Sequence, residues 1–517
     1  MGAGFPARFD RFATRVFGRF DAPDAEGRAF ALFLLGHVAV WTLYAALSQY
    51  NVSTFVDMFE NWAWGREFQL GYHKHPPLFA WTTGLWFHLF PRVDWAYFLL
   101  SATTTAVGMA GVFAAIGTVE RGPRRLVAVM ALELSPIWGF LAIKFNANTI
   151  LLAVWPWAIW AFLAAERRPT LGRGVLVGVT LALTMLGKYV SAALILAMLV
   201  ALMISAERRR LLVSPTMAAA VVVGLVVLAP HLLWLVDNDF ATIRYADDQT
   251  ATSLGRFVYY LVNFPLAQVL YVLPTLLGVL VAIGASGWTR RPWRGFLAWR
   301  TATADRRDLL VLVFGPFLIT VALAVATWSE LSAPWGFPLW SLTGWLFVSA
   351  PALAGVEVRA SRLMGVVAIF WAALFVLAPI VDLVSIRAGA RVAVGPAREL
   401  TAVAGRVWHE VAGDRRLAVV AGGGWWPGAV TFHSPENPSQ FIDFDPTHAP
   451  WITPERLDRD GALAVCLASD AACADKARAA LGASLVERVV PVSVVRWGRT
   501  LPATEFRLLV RLPRAGG

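Results

Sequence analysis

Apolar runs of about twenty residues recur along the first three quarters of this 517-residue chain. The hydrocarbon core of a bilayer is crossed by roughly 20 residues of α-helix, so most of these runs are long enough to span it. Only 15% of the residues are charged, whereas soluble globular proteins carry about 25%. The sequence therefore predicts an all-α polytopic membrane domain.

We predict about eleven transmembrane helices, which together form a membrane domain over residues 29–387. Residues 1–28 are polar and rich in arginine, and no small-residue cleavage site follows the first apolar run. We therefore expect a cytoplasmic N-terminal segment and no signal peptide. The predicted helices lie at about 29–47, 96–118, 126–143, 148–165, 173–187, 189–205, 215–235, 257–285, 309–328, 336–351 and 362–386.

The net charge of +11 comes largely from arginines in alternate links between the apolar runs. Cytoplasmic loops carry such an excess of positive residues. This placement argues against nucleic acid as a partner. It puts the N-terminus in the cytoplasm, and an odd number of helices then puts everything after about residue 387 outside.

The composition changes at about residue 388, where short β-branched segments alternate with turns and helical patterns. We predict a small extracytoplasmic α/β domain over 388–517. Its location permits a disulfide between Cys466 and Cys473, and two free thiols in a short loop are the alternative. The run 422–424 lacks the spacing of a dinucleotide-binding loop and a following helix, so we predict a turn there.

The predicted outer loop 48–95 starts too polar to be a span and carries five tryptophans. Tryptophans favour the membrane–water interface, so we expect one or two short amphipathic helices there. Within the loop, GYHKHPPLFAW at 71–81 sets Lys74 and His75 just before two prolines, which suit the start of a helix. Helix N-termini favour anions, so the stretch is predicted to hold a phosphate. A solvated surface loop is the alternative.

Ten residues of this loop stand at fixed offsets: Asp57, Trp62, Trp64, Gly71, Tyr72, His75, Pro76, Pro77, Leu78 and Trp81. Their spacing resembles that of a known family, the protein O-mannosyltransferase-like glycosyltransferases (family 39). The resemblance extends to its bacterial branch and to the related aminoarabinose transferases, all of the GT-C superfamily. Weaker similarity continues through 186–194, 230–246 and 332–340.

The resemblance implies a helical membrane domain that moves a sugar from a polyprenyl-phosphate carrier to an acceptor hydroxyl, with inversion at the anomeric carbon. It makes Asp57 the candidate base, since a hydroxyl attacks well only when a carboxylate takes its proton. Cations would stabilise the leaving lipid phosphate, and we assign this task to Lys74, His75, Lys188 and Arg244. Neither a metal nor another cofactor is expected, because no metal-ligand spacing occurs.

The chain departs from the family pattern at three places. Met58 follows the candidate base where relatives often have Glu, and Glu60, about one helical turn away, could replace that acid. Lys74 stands where relatives frequently have Asp, which points to a different and more acidic sugar or to a different phosphate geometry. The link 144–149 offers Asn146 and Asn148, which can hydrogen-bond a sugar but cannot act as bases.

Other polar residues have structural alternatives. Lys188 could be a lysine that reaches the interface from a helix end. Arg244 and Tyr245 could belong to a solvated loop or to a substrate clamp. Glu133 lies inside an apparent span, where ionisable residues are functional candidates, although pairing with a neighbouring helix would also explain it. His231 is expected to be structural.

The sequence thus predicts a bacterial inner-membrane glycosyltransferase that acts on the periplasmic side. Its expected partners are a polyprenyl-phosphate-linked sugar, membrane lipids, and an acceptor that could be a lipopolysaccharide, another glycolipid, a polysaccharide or a protein. A transporter or flippase of lipid-linked sugars is the main alternative. Transporters often carry internal repeats and broken helices in matching positions, and none is found in this sequence. A non-catalytic protein that binds sugar lipids is the third possibility.

Overall fold

The computed structural model describes residues 5–49, 51–52, 55–204, 206–247, 250–289, 297, 299, 302–387, 395–482 and 484–514. These residues form two compact units, each built from separate stretches of the chain. The first unit comprises Met1–Thr42, Lys74–Leu78 and Ser101–Val376. The second comprises Leu43–His73, Phe79–Leu100 and Leu377–Gly517.

The helices up to residue 387 carry the membrane-spanning character of the chain. Within the described residues, seven of them are long and apolar enough to cross a membrane: α2, α5, α7, α11, α13, α14 and α16. In chain order the helices are α1 (Phe5–Phe17), α2 (Glu26–Ser48), α3 (Val56–Gly65), α4 (Leu78–Leu89), α5 (Asp94–Ile116), α6 (Pro123–Met130), α7 (Thr149–Arg167), α8 (Leu171–Gly187), α9 (Ala192–Met203), α10 (Ala206–Leu212), α11 (Pro215–Asp237), α12 (Ala241–Asp247), α13 (Leu254–Trp288), α14 (Ala304–Thr327), α15 (Thr343–Val348) and α16 (Ala360–Arg387).

The multi-pass, mostly helical architecture is confirmed, whereas the count of eleven spans is not. Helices α8 and α9 are apolar but shorter than a full span. The predicted spans 126–143 and 336–351 are not continuous helices: each is a short α-helix joined to 3₁₀ turns, with Pro136 or Pro338 in the turn. The residue before a proline avoids the helical conformation, and Ser135 before Pro136 is extended (ψ 132°), which ends the first 3₁₀ turn; Pro338 lies within the second 3₁₀ helix. Most of their apolar side chains are buried in the protein core, which explains why their composition resembles that of a span.

Glu133 is fully buried in the first unit and is held by three aromatic side chains. His37 Nδ1 lies 2.5 Å from Glu133 Oε2, while the indole N–H groups of Trp41 and Trp371 donate to Oε1 at 2.8 and 2.6 Å. The other nitrogen of His37 lies 2.8 Å from the Thr105 hydroxyl. The carboxylate therefore joins its own segment to α2 and α16, and His37 extends the network to α5, which favours the pairing alternative for this residue.

The second unit contains a five-stranded sheet in the order β2-β1-β3-β7-β4. β1 (Val419–Gly422) pairs in parallel with β2 (Ser439–Ile442) and β3 (Ala462–Leu467), while β7 (Thr504–Arg511) runs antiparallel to both β3 and β4 (Val486–Val492). A hairpin of β5 (Val495–Arg496) and β6 (Arg499–Thr500) stands apart. The helices of this region are α17 (Ala397–Ala412), α18 (Trp425–His433), α19 (Pro454–Asp460) and α20 (Ala471–Leu481). The predicted C-terminal α/β fold is confirmed.

Two details of this region go beyond the sequence prediction. Cys466 and Cys473 form a disulfide that links β3 to α20, with their Cα atoms 5.8 Å apart. The glycine run 422–424 does form a turn, but the expectation that no helix follows was wrong, because α18 begins at Trp425. Gly424 has φ 65° and so supports the tight turn between β1 and that helix.

Two short helices lie in the predicted outer loop, and they cross closely within the second unit. A Cβ added to Gly65 of α3 would lie 2.3 Å from the Ala80 carbonyl of α4, so only glycine permits this approach. On another face of α3, a Cβ added to Gly428 of α18 would lie 2.7 Å from the Phe59 Cβ. Helix α3, which carries Asp57, is therefore held from two directions.

Replacing Glu133 by alanine should destabilise the protein by roughly 3 kcal/mol, because it leaves the buried His37 and two indole N–H groups without their acceptor. Unfolding of the purified protein in detergent measures the change. Glu357→Gln is the matched control, since Glu357 makes an exposed ion pair with Arg359. Equal stability of the two variants would contradict the structural role of Glu133.

Candidate functional site

A cavity of about 430 Å³ in the first unit brings together four of the residues predicted from sequence. They are Lys74, His75, Lys188 and Tyr245. Their side chains are half-buried, so they are neither fully solvated nor sealed in the core. Five stretches build the cavity: residues 74–76, the start of α7, the junction of α8 with α9, α12, and α14 with the segment that follows it.

Lys188 is positioned by the break between α8 and α9. It has an extended backbone (φ −170°, ψ 142°) at the end of α8, and its N–H donates to the Thr184 carbonyl. Its ammonium donates to Asn148 Oδ1 at 2.8 Å and lies 4.9 Å from the centre of the Trp335 ring. An amide oxygen and an aromatic face attract the cation without neutralising its charge. These two contacts hold the ammonium at the cavity, where a cation suits an anionic ligand.

Asn146 and Asn148, in the link before α7, have different structural roles. Asn146 Oδ1 accepts hydrogen bonds from the backbone N–H groups of Asn148 and Thr149, at 2.9 and 3.1 Å, which fixes the turn. Asn148, by contrast, lines the cavity and binds Lys188. Asn146 thus orients the link, and Asn148 contributes to the cavity itself.

A hydrogen-bond network supports the wall near α12. Tyr189 Oη lies 2.7 Å from His231 Nε2 and 2.9 Å from Thr242 Oγ1, joining the α8–α9 junction to α11 and α12. His231 is buried, in accord with the structural role expected for it. Tyr245, one turn after Thr242, meets the edge of His75 with ring centres 6.0 Å apart. The network therefore fixes α12 beside the cations.

The remaining wall of the cavity is mainly apolar. Leu323 and Ala324 of α14 and Leu331 after it line this part, together with Thr320 and Thr327, two turns apart on α14. A cationic side facing an apolar wall suits an amphiphile with an anionic head group. This is the chemistry of a lipid phosphate.

The other predicted residues lie outside this lining. Arg244 is exposed and is not among the lining residues. Asp57 and Glu60 lie on α3 of the second unit, half-buried and one helical turn apart. In the part of the chain that the structure describes, no group of three or more His, Cys, Asp or Glu side chains is arranged to hold a metal ion.

Tyr72, in the stretch 71–81, holds the chain that follows α3. Tyr72 stacks on Trp64 with ring centres 4.9 Å apart, and its hydroxyl donates to the Trp64 carbonyl at 2.8 Å. The same hydroxyl accepts from the Gln69 N–H at 3.1 Å, and burial raises the pKa of the phenol. These contacts fold residues 65–72 back onto α3 immediately before Lys74.

Sequence comparison relates the chain to known transferases. Residues 74–234 match the family described as dolichyl-phosphate-mannose-protein mannosyltransferase. The lipid A galacturonosyltransferase RgtD of Rhizobium johnstonii is 24% identical over 291 residues, which are 53% of this chain and 57% of that protein. The lipopolysaccharide core galacturonosyltransferase RgtB of the same organism is 27% identical over 170 residues, 30% of this chain and 33% of that protein. The chain thus spans about half the length of RgtD and about a third of the length of RgtB.

Structural similarity extends over almost the whole chain. The crystal structure of ArnT from Cupriavidus metallidurans bound to undecaprenyl phosphate has a TM-score of 0.58 at 16% identity, covering 92% of this chain and 97% of that one. At this identity the likeness shows that the chain shares the fold of ArnT. The apo form of the same ArnT gives a TM-score of 0.55 at 16% identity, covering 93% of this chain and 98% of that one. The predicted family resemblance is confirmed, and at this level of identity the structures establish a shared GT-C fold.

The family match over residues 74–234 covers part of the candidate site. It begins at Lys74 and includes Lys188, whereas Asp57 precedes it and Tyr245 follows it. Sequence reasoning did not single out Trp335, although this residue lies in the weakly similar segment 332–340. It also missed Thr320 and Thr327, whose seven-residue spacing in an apolar helix was the available signal.

Replacing Lys188 by methionine should weaken binding of an amphiphilic phosphate roughly tenfold, because one charged hydrogen-bond donor is removed from the cavity. Titration of the purified protein with dodecyl phosphate measures the affinity. Lys144→Met is the matched control, since Lys144 lies in the same unit but does not line the cavity. Equal affinity for the Lys188→Met variant and the wild-type protein would exclude Lys188 from the anion site.

Proposed function

We propose that the chain is a membrane glycosyltransferase that moves a sugar from a polyprenyl-phosphate donor to an acceptor hydroxyl. The observation that carries this proposal is the cavity of the first unit, where Lys74, His75 and Lys188 line a space that also has an apolar wall. The likeness to the GT-C transferases supports it, and the ArnT crystal structure, which is bound to undecaprenyl phosphate, agrees with a lipid-phosphate donor.

Charge stabilisation of the leaving group is the proposed task of the cations. When the glycosidic C–O bond of the donor breaks, the bonding electrons leave with the phosphate oxygen, so negative charge grows on the lipid phosphate. Fixed cations in a site sheltered from water stabilise that charge most. Lys188 is held in place by Asn148 and Trp335, which supports its assignment to the phosphate. Lys74, His75 and the exposed Arg244 are assigned to the same group.

We further propose that the donor sugar is a hexuronic acid. Two relatives are named as galacturonosyltransferases, and a uronic acid brings a carboxylate in addition to the carrier phosphate. Lys74 supplies a cation where the resembled family frequently has an acid. A second cation beside Lys188 suits a donor with two anionic groups. Tyr245, which lines the same cavity, is assigned to the sugar.

Asp57 is the proposed base, and this assignment rests on the family resemblance. The acceptor oxygen forms a new bond to the anomeric carbon as the bond to the phosphate oxygen breaks, and the hydroxyl proton passes to the Asp57 carboxylate. Attack from the face opposite the leaving group inverts the anomeric configuration. Glu60, one turn along α3, is assigned to acceptor binding because Met58 supplies no acid. The clamping of α3 by α4 and α18 supports a fixed carboxylate.

We propose that the reaction takes place at the periplasmic face of a bacterial inner membrane. The positive-inside distribution of arginines supports this orientation. The Cys466–Cys473 disulfide also supports it, since disulfides persist in oxidising compartments. The relatives named for lipid A and lipopolysaccharide core suggest a lipopolysaccharide as the acceptor.

Incubating the purified protein with radiolabelled polyprenyl-phosphate hexuronate and lipopolysaccharide should give labelled lipopolysaccharide. Asp57→Asn should lower the rate at least a hundredfold, because the acceptor loses its base, while donor binding persists. Asp414→Asn is the control, since it removes an exposed acid of the same unit. Near-normal transfer by Asp57→Asn would disprove the base. Movement of intact donor across liposomes without transfer would favour the transporter.

A further inference from the structure

A second cavity, of about 560 Å³, lies wholly within the second unit and is lined mainly by arginines. Its walls come from the residue after α3, the residues before β1 and β2, helix α19, and the residues after β7. Six of the ten lining residues are arginines, against one acid, Asp460. The six arginines, which we call the arginine pocket, are Arg66, Arg415, Arg416, Arg456, Arg459 and Arg514.

Three of these arginines bind neutral carbonyl groups, among them Arg456, which donates to the Trp451 carbonyl at 3.0 Å. Arg66 donates to the Asn437 carbonyl at 2.9 Å, and Arg416 donates twice to the Glu436 carbonyl, at 2.9 and 2.7 Å. A carbonyl oxygen orients a guanidinium but does not cancel its charge. The nearest acid to Arg66 is Glu67, whose carboxylate lies 3.4 Å from the guanidinium.

The acids around the pocket are shared between arginines. Asp460 makes a two-point contact with Arg459, at 2.8 and 3.0 Å, and lies 3.5 Å from Arg456. Outside the lining, Asp458 binds both Arg511 and Arg514. Arg415 is exposed, and no hydrogen bond of its side chain occurs among the described residues. The pocket therefore carries more guanidinium than carboxylate charge.

Burial is the main cause that lowers the pKa of Arg66. Glu67 raises this pKa, and the neighbouring Arg456 and Arg416 lower it by smaller amounts. Repulsion among fixed guanidinium groups is relieved when an anion binds between them. A guanidinium presents paired N–H donors that match two oxygens of a phosphate or a carboxylate. The volume is within the range of small-ligand sites, roughly 300–1,000 Å³.

We propose that the arginine pocket binds a phosphate- or carboxylate-bearing sugar of the acceptor glycan and so gives the enzyme a preference for anionic acceptors. This inference rests on the proposed function, because a role in acceptor choice requires that the protein transfers a sugar. Binding of an anion to the pocket can be measured without transfer. Arg415 is the side chain most available to the ligand, because it is exposed and no hydrogen bond of its side chain occurs among the described residues. Arg459 is also exposed, and its contact with Asp460 joins neighbouring residues of α19. Arg66, Arg416 and Arg456 shape the pocket and add charge.

The binding test uses the full-length protein and three soluble probes: a diphosphorylated glucosamine disaccharide, trigalacturonate and neutral cellotriose. At least one anionic probe should bind, more weakly at higher salt, and cellotriose should not. The Arg415→Gln/Arg459→Gln variant should lose roughly tenfold or more in affinity. The matched control is Arg406→Gln/Arg488→Gln, which removes two exposed arginines of the same unit that do not line the pocket.

Three results would overturn the inference: equal binding of the neutral probe, unchanged affinity in the pocket variant, or an equal loss in the control. Binding that occurs only to vesicles containing phosphatidylglycerol would assign the pocket to a membrane surface instead. The preference for the phosphorylated or the carboxylated probe identifies the anionic group.

A kinetic measurement separates this inference from the proposed function. In the transfer assay, the pocket variant should raise the KM for lipopolysaccharide while leaving kcat and the donor KM unchanged. Absence of transfer by the wild-type protein, with intact binding to the pocket, would disprove only the proposed function. Normal transfer with an unchanged acceptor KM would disprove only the role of the arginine pocket.

Discussion

A polar group buried among apolar helices must find its hydrogen-bond partners inside the protein, because hydrocarbon offers none. Glu133 shows how this chain meets that constraint, with a carboxylate that binds His37 and two indole N–H groups. The break after α8 follows the same rule, since Lys188 leaves the helix but keeps Asn148 and Trp335 as partners. These contacts stabilise the two charged side chains within an apolar fold and fix their positions.

Helix periodicity and hydropathy predicted much of the fold. They failed at 126–143 and 336–351 because an apolar segment buried in protein has the same composition as one buried in lipid. The sequence did identify Lys74, His75, Lys188 and Tyr245, which line one cavity. Trp335 was missed since its tertiary contact with Lys188 leaves no periodic signal. The arginine pocket was missed for a similar reason: its members come from four distant stretches.

The two units carry different kinds of candidate anion site. The cavity of the first unit combines a few cations with an apolar wall, as an amphiphilic lipid phosphate requires. The arginine pocket of the second unit is polar and rich in guanidinium groups, as a water-soluble anionic sugar requires. We therefore assign the first to the donor and the second to the acceptor. The division explains why one chain would need both a helical region and an α/β region.

The most direct test of the central claim is an electron cryomicroscopy structure of the protein with undecaprenyl phosphate. We expect phosphate density within hydrogen-bond distance of Lys188, in the cavity that Lys74 and His75 also line, with the lipid chain along Leu323 and Leu331. Phosphate density at another place, with this cavity occupied only by water, would contradict the assignment of the cavity to the donor.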